Sequence, residues 1–217
     1  VTRRLIVNAD DFGRSPGVNA GVIAAHAGGI VTTASLMVRW PAAAEAAAYA
    51  GLGLGLHVDL GEWRRVDGTW EPVYEVVDLR DADAVAAEIS RQIRRFVELV
   101  GRPPTHLDSH QHVHREEPVR TALADTGAAL GVPVRELTPR IRYCGSFYGA
   151  ERIDVEALLG VLAALPEGVT ELGCHPGLGA DHDSEYDVER EQELRTLCDP
   201  RVRALIDAEA IELVTFA

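Results

Sequence analysis

The chain has 217 residues (23.5 kDa), 47% hydrophobic and 25% charged, and its 34 acidic against 21 basic residues leave a formal charge of −13. That excess repels phosphate backbones and anionic lipid, which sets aside nucleic-acid and membrane-surface roles. Apolar runs are broken by Gly, Arg or His well short of the roughly 20 residues a spanning helix needs, and no basic-then-apolar leader is read, so a cytoplasmic protein forming one domain over residues 1–217 is expected.

In chain order, β-like runs fall at residues 5–9, 32–38, 54–58, 105–109, 132–136, 170–174 and 211–216, most of them bounded by Gly or Pro. Helical patterns lie between them. The clearest covers 81–100, where Val85, Ile89, Ile93, Phe96, Val97 and Val100 recur at steps of three and four before Gly101 and Pro103 stop the run. An Ala-rich helix is expected over 42–50, another over 117–130, and a charged amphipathic one over 188–208. On that last helix Arg190 and Glu193 read as a solvated ion pair. Alternation of this kind predicts an α/β fold with a mainly parallel sheet, since parallel neighbours need crossovers. An irregular TIM-like (β/α) barrel suits the strand count, although the chain is shorter than the roughly 250 residues of a complete barrel. The runner-up is a doubly wound open sheet, but the loop after the first strand lacks the Gly-x-Gly-x-x-Gly that cradles a dinucleotide. Cys144, Cys174 and Cys198 are too few and too far apart for a disulfide framework or a zinc knuckle, and read as reduced thiols.

Polar residues able to do chemistry stand at four predicted strand ends. Asp10 and Asp11 close the first strand, just before Phe12-Gly13. Strand side chains alternate faces, so two adjacent carboxylates converge only where the backbone bends. His57 ends the third strand, beside Asp59. The segment His106-Leu107-Asp108-Ser109-His110-Gln111-His112-Val113-His114 ends the fourth, and His175 follows Cys174. In a parallel barrel the carboxyl ends of the strands host the active site, so these segments should meet. One carboxylate and two neutral imidazoles, Asp11, His57 and His110, make a set that holds a divalent ion and leaves positions open for water and substrate. Such an ion polarises a carbonyl and activates water, which suits hydrolysis of an amide or ester.

The stretches Leu-Ile-Val-Asn-Ala-Asp-Asp-Phe-Gly, Gly-Leu-His, Thr-His-Leu-Asp-Ser-His-Gln-His-Val-His and Cys-His-Pro-Gly together resemble the YdjC-like carbohydrate deacetylases, over residues 8 to about 197. The resemblance implies an irregular TIM-like barrel, one divalent metal, and removal of acetyl groups from N-acetylated sugars. It places the metal on Asp11, His57 and His110. By analogy with the broader polysaccharide deacetylases, Asp10 would be the general base and His175 the acid that protonates the leaving amine. Gln111 departs from relatives that carry His there. The short chain suggests trimmed substrate loops.

Simpler readings stand beside these. Asp10 and Asp11 could cap the next helix, and His175 could merely cap its strand. Asp108 and His112 read as groups that orient His110 or line the pocket, and His106 as structural. Trp63 and Trp70 could stack on a sugar or form a loop's own small core. His26 and His182 carry no functional reading. The metal is Mg or Zn by family habit, although imidazole nitrogens suit Zn, Ni or Co better than Mg. The expected partner is an N-acetyl sugar or its oligosaccharide, and a homodimer is a possible assembly. Two rivals remain. A two-metal phosphoesterase would need a bridging carboxylate, for which only Asp59 and Asp108 offer themselves. A non-catalytic sugar-binding module would bind without releasing acetate.

Overall fold

The first apolar run becomes the centre of the sheet. In this computed structural model, which describes residues 2–179 and 186–216, the elements follow as β1 (Arg3–Phe12), α1 (Pro16–Gly28), β2 (Thr33–Leu36), α2 (Ala43–Ala47), β3 (Gly53–Val58), β4 (Gly61–Val66), β5 (Thr69–Glu75), α3 (Ala82–Val100), β6 (Leu107–Ser109), a 3-10 turn (His110–Arg115), α4 (Val119–Leu130), β7 (Ile141–Cys144), α5 (Val155–Ala163), β8 (Gly168–Cys174), α6 (Asp187–Leu197), α7 (Pro200–Ala208) and β9 (Glu212–Leu213). His182 lies outside the described residues. None of the described helices is long and apolar enough to cross a membrane.

The main sheet has the order β6-β3-β2-β1-β8-β7 with every pair parallel. β8 lines one edge of β1, so β2 and the short β9 share the other. Every residue of β1 from Leu5 onward is buried, which is why a strand covered on both faces reads as an unbroken apolar run. Taken round from β1, the strands run in chain order through β2, β3 and β6 and return through β7 and β8. β6 and β7 are the two ends of this order and are not paired with each other; beyond β6, Leu107 makes a parallel bridge to Val134, in the segment before β7. The result is one α/β domain whose parallel sheet curls into an incompletely closed barrel, as the irregular-barrel reading expects.

Several boundaries differ from expectation. The strand expected at 132–136 is reduced to that one bridge, and the last strand to Glu212–Leu213. The helix expected over 188–208 is two, because Pro200 has no N–H to donate and clashes with a preceding turn; it opens α7 at its first position, with Asp199 as the cap. β7, α1 and α5 are additional, and so is the β4–β5 hairpin, whose Asp67-Gly68 turn has positive φ at both residues (48° and 87°). The 81–100 reading matches closely: Asp81 caps α3 by accepting from the Ala84 amide at 3.0 Å, and Gly101 ends it at φ 77°. Two glycines permit close approaches that position the site. A Cβ on Gly55 would lie 2.4 Å from the His106 ring, and one on Gly21 of α1 would lie 2.3 Å from the Gly177 backbone, which seats the His175-Pro176-Gly177 loop. The three cysteines are unpaired with one another.

Candidate metal and acid-base site

Asp11 has φ 63°, and the β1–β2 register shifts between Ala9 and Phe12. This left-handed kink at the strand end is the bend that lets both neighbouring carboxylates face the barrel mouth. Asp11 Oδ1 lies 3.3 Å from His57 Nε2 and 3.1 Å from His110 Nδ1, while its Oδ2 accepts from Arg190 at 2.5 Å. One ligand atom from each of Asp11, His57 and His110 falls within 4.8 Å of the others, and all three residues are buried. His57 comes from the end of β3 and His110 from the turn after β6, so remote segments do meet at the carboxyl edge of the sheet.

The electrostatics suit a cation. Burial would raise the Asp11 pKa, but Arg190 and His110 outweigh it and hold the carboxylate well below its ordinary range. Burial would likewise push His57 down, yet Asp108, Asp11 and Asp10 lift it to about 10, and His110 is raised by Asp11 and Glu62 against its own burial. The negative charge that keeps protons on these rings is the charge a divalent ion would feel in their place. A carboxylate oxygen and two imidazole nitrogens, close together and buried, therefore fit a divalent ion. His57 Nδ1 is 2.7 Å from Asp108 Oδ1, so Nε2 is left to face Asp11. His110 Nε2 lies 3.3 Å from Glu62 Oε2, and Glu62 accepts from Arg14 at 2.6 Å.

Asp10 faces a different partner. Arg135 donates Nη1 to Asp10 Oδ2 at 2.6 Å and Nη2 to Oδ1 at 2.7 Å, and Asn8 Nδ2 donates to Oδ1 at 2.8 Å. The same guanidinium reaches Glu171 at 2.6 Å and Asp108 at 2.9 Å. One buried cation thus serves three buried carboxylates. Burial raises and Arg135 lowers the Asp10 pKa, with a net lowering. Glu171 goes the other way: burial pushes it from 4.5 to about 7, although Arg135 opposes the shift. A glutamate whose folded pKa lies above its unfolded one binds more protons in the fold, so its contribution to stability is present below 4.5 and is lost as pH rises through about 7. Glu171→Gln should flatten that loss, on the order of 3 kcal/mol across the window, in urea melts at about pH 4.5 and about pH 8. An unchanged pH slope would show that Glu171 titrates normally.

His175 projects Nε2 to 3.8 Å from Asp10 Oδ2. Its backbone amide donates to Glu193 Oε2 at 2.5 Å, and its Nδ1 lies 3.7 Å from Glu193 Oε1. Arg190 and Glu193 are therefore no solvated pair: both are buried, and α6 turns this charged face inward to Asp11 and His175. Asp59 does not pair with His57 either. Its oxygens accept from Arg39, Trp40, Tyr74 and the Gly61 amide, which anchors the base of the hairpin.

Of the other residues singled out above, Asp108 bridges His57, Arg135 and Ser35. His112 sits beyond the cluster with Nε2 3.3 Å from Tyr143 Oη. His106 is buried, stacks on Phe216 at 3.8 Å, and burial brings its pKa down to about 4. Gln111 clamps the hairpin, its side chain accepting from the Trp63 amide at 2.9 Å and donating to the Trp63 carbonyl at 2.7 Å. The Trp63 ring lies against Gly61 and lines a cavity of about 360 Å³ with Glu75, Leu79 and Arg80. Trp70 pairs across the hairpin with Arg65 and is 65% exposed; among the described residues neither Trp ring makes a ring contact with His57 or His110 or a hydrogen bond to Asp11. The aromatics beside the site are others: Trp40 lies under Arg14 at 5.1 Å, Tyr143 under Arg135 at 4.8 Å, and Tyr148 and Tyr186 stand edge-on to the His175 ring at 5.3 and 5.9 Å. Sequence reasoning missed Glu62, Arg14, Arg135, Arg190 and Glu193. For Arg135 a signal existed, a lone cation in the strand-like run Val132-Pro133-Val134-Arg135.

Residues 4–208 match the family of YdjC-like proteins. The chain belongs to the YdjC-like family. It is 35% identical to a chitooligosaccharide deacetylase of Serratia marcescens, covering 98% of this chain and 97% of that one, and 33% identical to a carbohydrate deacetylase of Geobacillus stearothermophilus, covering 99% and 97%. Among solved structures, a candidate cellobiose-phosphate cleavage protein of Enterococcus faecalis V583 superposes with TM-score 0.85 at 26% identity, covering 100% of this chain and 98% of that one. A family 4 carbohydrate esterase of Streptomyces lividans, in complex with acetate, superposes with TM-score 0.62 at 14% identity over 99% and 93%, a likeness of fold. This YdjC-like chain therefore shares the deformed barrel of the carbohydrate esterases and aligns along nearly the whole length of its family relatives.

Proposed function

We propose that this YdjC-like protein is a metal-dependent carbohydrate deacetylase that hydrolyses the acetamide of an N-acetylated amino sugar, with chitooligosaccharides as the first substrates to test. The observation that carries the reading is the juxtaposition of two groups at one barrel mouth. One is the Asp11–His57–His110 donor set; the other is Asp10 and His175, 3.8 Å apart, each backed by a buried partner. Relatives that match along the full chain are named for this activity.

A divalent ion on Asp11, His57 and His110 would polarise the acetyl carbonyl and ease deprotonation of water. Asp10 takes the proton of the attacking water. Arg135 fixes both Asp10 oxygens in the plane of its fork, and because Glu171 and Asp108 share that cation, Asp10 stays more basic than in an exclusive pair. His175 returns a proton through Nε2 to the departing nitrogen, while Glu193 holds the backbone of His175 by accepting from its amide and places a carboxylate oxygen 3.7 Å from ring Nδ1. Imidazole ligands favour Zn, Ni or Co, and family habit favours Mg. A phosphoesterase is disfavoured because Asp59 is committed to the hairpin and Asp108 to Arg135, Ser35 and His57.

An acetate-release screen over N-acetylglucosamine mono- and oligosaccharides and lipid-linked and antibiotic-type amino sugars, with several divalent ions, tests the reading. Release is expected with at least one sugar, lost on chelation and restored by the ion. Binding of these sugars without any acetate release would leave a sugar-binding module instead.

A further inference from the structure

We propose that His112, His114 and Glu136 form a second cation site, suited to zinc or a similar borderline transition-metal ion. His114 is fully buried, yet its Nε2 has no hydrogen-bond partner; the Nδ1 of His112 has none either. Both nitrogens turn towards one carboxylate oxygen, Glu136 Oε2, which is 3.4 Å from His114 Nε2 and 4.0 Å from His112 Nδ1. The three donor atoms lie within 4.8 Å of one another. Bonds of about 2.0–2.1 Å to a tetrahedral ion put neighbouring donors about 3.4 Å apart, so a small contraction suffices. The opposite ring nitrogens are already held, His114 Nδ1 at 2.7 Å from Ser109 Oγ and His112 Nε2 at 3.3 Å from Tyr143 Oη, which are the outer contacts that orient imidazole ligands.

The site is separate from Asp11, His57 and His110. No carboxylate belongs to both sets, so two ions per chain would not make a binuclear hydrolase centre. Arg115 holds Glu136 through both oxygens, at 2.8 and 2.9 Å, but its side chain is 51% exposed and can keep Oε1 while Oε2 turns to the ion. Glu136, and the Tyr143 that contacts His112, also line a cavity of about 450 Å³. The consequence is mechanical. An ion there ties the turn that begins at His110 to the residue after Arg135, and so braces the supports of both Asp11 and Asp10.

The test uses the full-length chain, stripped of metal, with the first site disabled by Asp11→Asn and His57→Gln. Cobalt(II) titration should give one ion per chain with the visible bands of a tetrahedral site, and zinc should displace it. Adding Glu136→Gln or His112→Gln, both at partly exposed residues, should weaken binding at least about tenfold. Should the disabled background fail to fold, the wild-type stoichiometry serves: two ions per chain, falling to one in Glu136→Gln. No cobalt in the disabled chain, a single ion in the wild type, or binding indifferent to both substitutions would overturn the proposal.

Discussion

Replacing Asp10 with asparagine is expected to lower kcat for acetate release by about 10²–10⁴-fold while metal content stays at the wild-type level. Asp10 and Asp11 are neighbours in sequence but not in environment. Asp11 turns Oδ1 to the two imidazoles, and Asp10 turns both oxygens to Arg135 and one of them towards His175. Asparagine keeps the shape and part of the hydrogen bonding at position 10, but its amide is no proton acceptor at neutral pH. The loss should therefore fall on kcat with KM little changed. Metal analysis beside steady-state kinetics decides the matter: turnover retained in Asp10→Asn would remove this residue from the mechanism, and loss of the ion would make it a ligand.

Arg135→Met should cost the fold about 3–5 kcal/mol at neutral pH, because it strands buried carboxylates without their cation. Asp10, Asp108 and Glu171 all sit within 2.9 Å of that guanidinium, and all are essentially inaccessible to solvent. Without it, burial dominates and the carboxyl pKa values of the folded state rise above their unfolded values. The folded variant then binds more protons than the unfolded one, so its stability recovers as pH falls and drops as pH rises. Urea melts at about pH 5 and about pH 8 should show the deficit shrinking at the lower pH. Arg135→Lys restores charge but not the fork, and should recover stability better than turnover. A variant as stable as the wild type at both pH values would show that the carboxylates find other compensation.

The strand ends were readable because each couples a local pattern to one chemical residue. An unbroken apolar run ending in Asp10-Asp11 announces a buried parallel strand and a bend, and the bend is the left-handed Asp11. His57, His110 and His175 likewise stand where strands stop. The hairpin is also encoded locally, by Asp67-Gly68 between extended runs, although its flanking residues lack a clean apolar–polar alternation. α6 is the opposite case. Its charged residues read as a solvated face, since a helical period tells which residues share a side and not what that side packs against.

Local pattern and residue chemistry were sufficient for the alternating α/β order, the parallel sheet, the positions of the acids and imidazoles, and the family. Pairing across long separations was not available from them. Arg190 meets Asp11 at a separation of 179 residues, Arg135 meets Asp10 at 125, and Glu62 meets His110 at 48. Such contacts depend on how the sheet curls and which helix face it covers, and desolvation in that enclosure decides which charges become partners. A lone arginine in sequence is ordinary surface; buried at the barrel mouth, Arg135 and Arg190 need a countercharge, and they find it in Asp10 and Asp11.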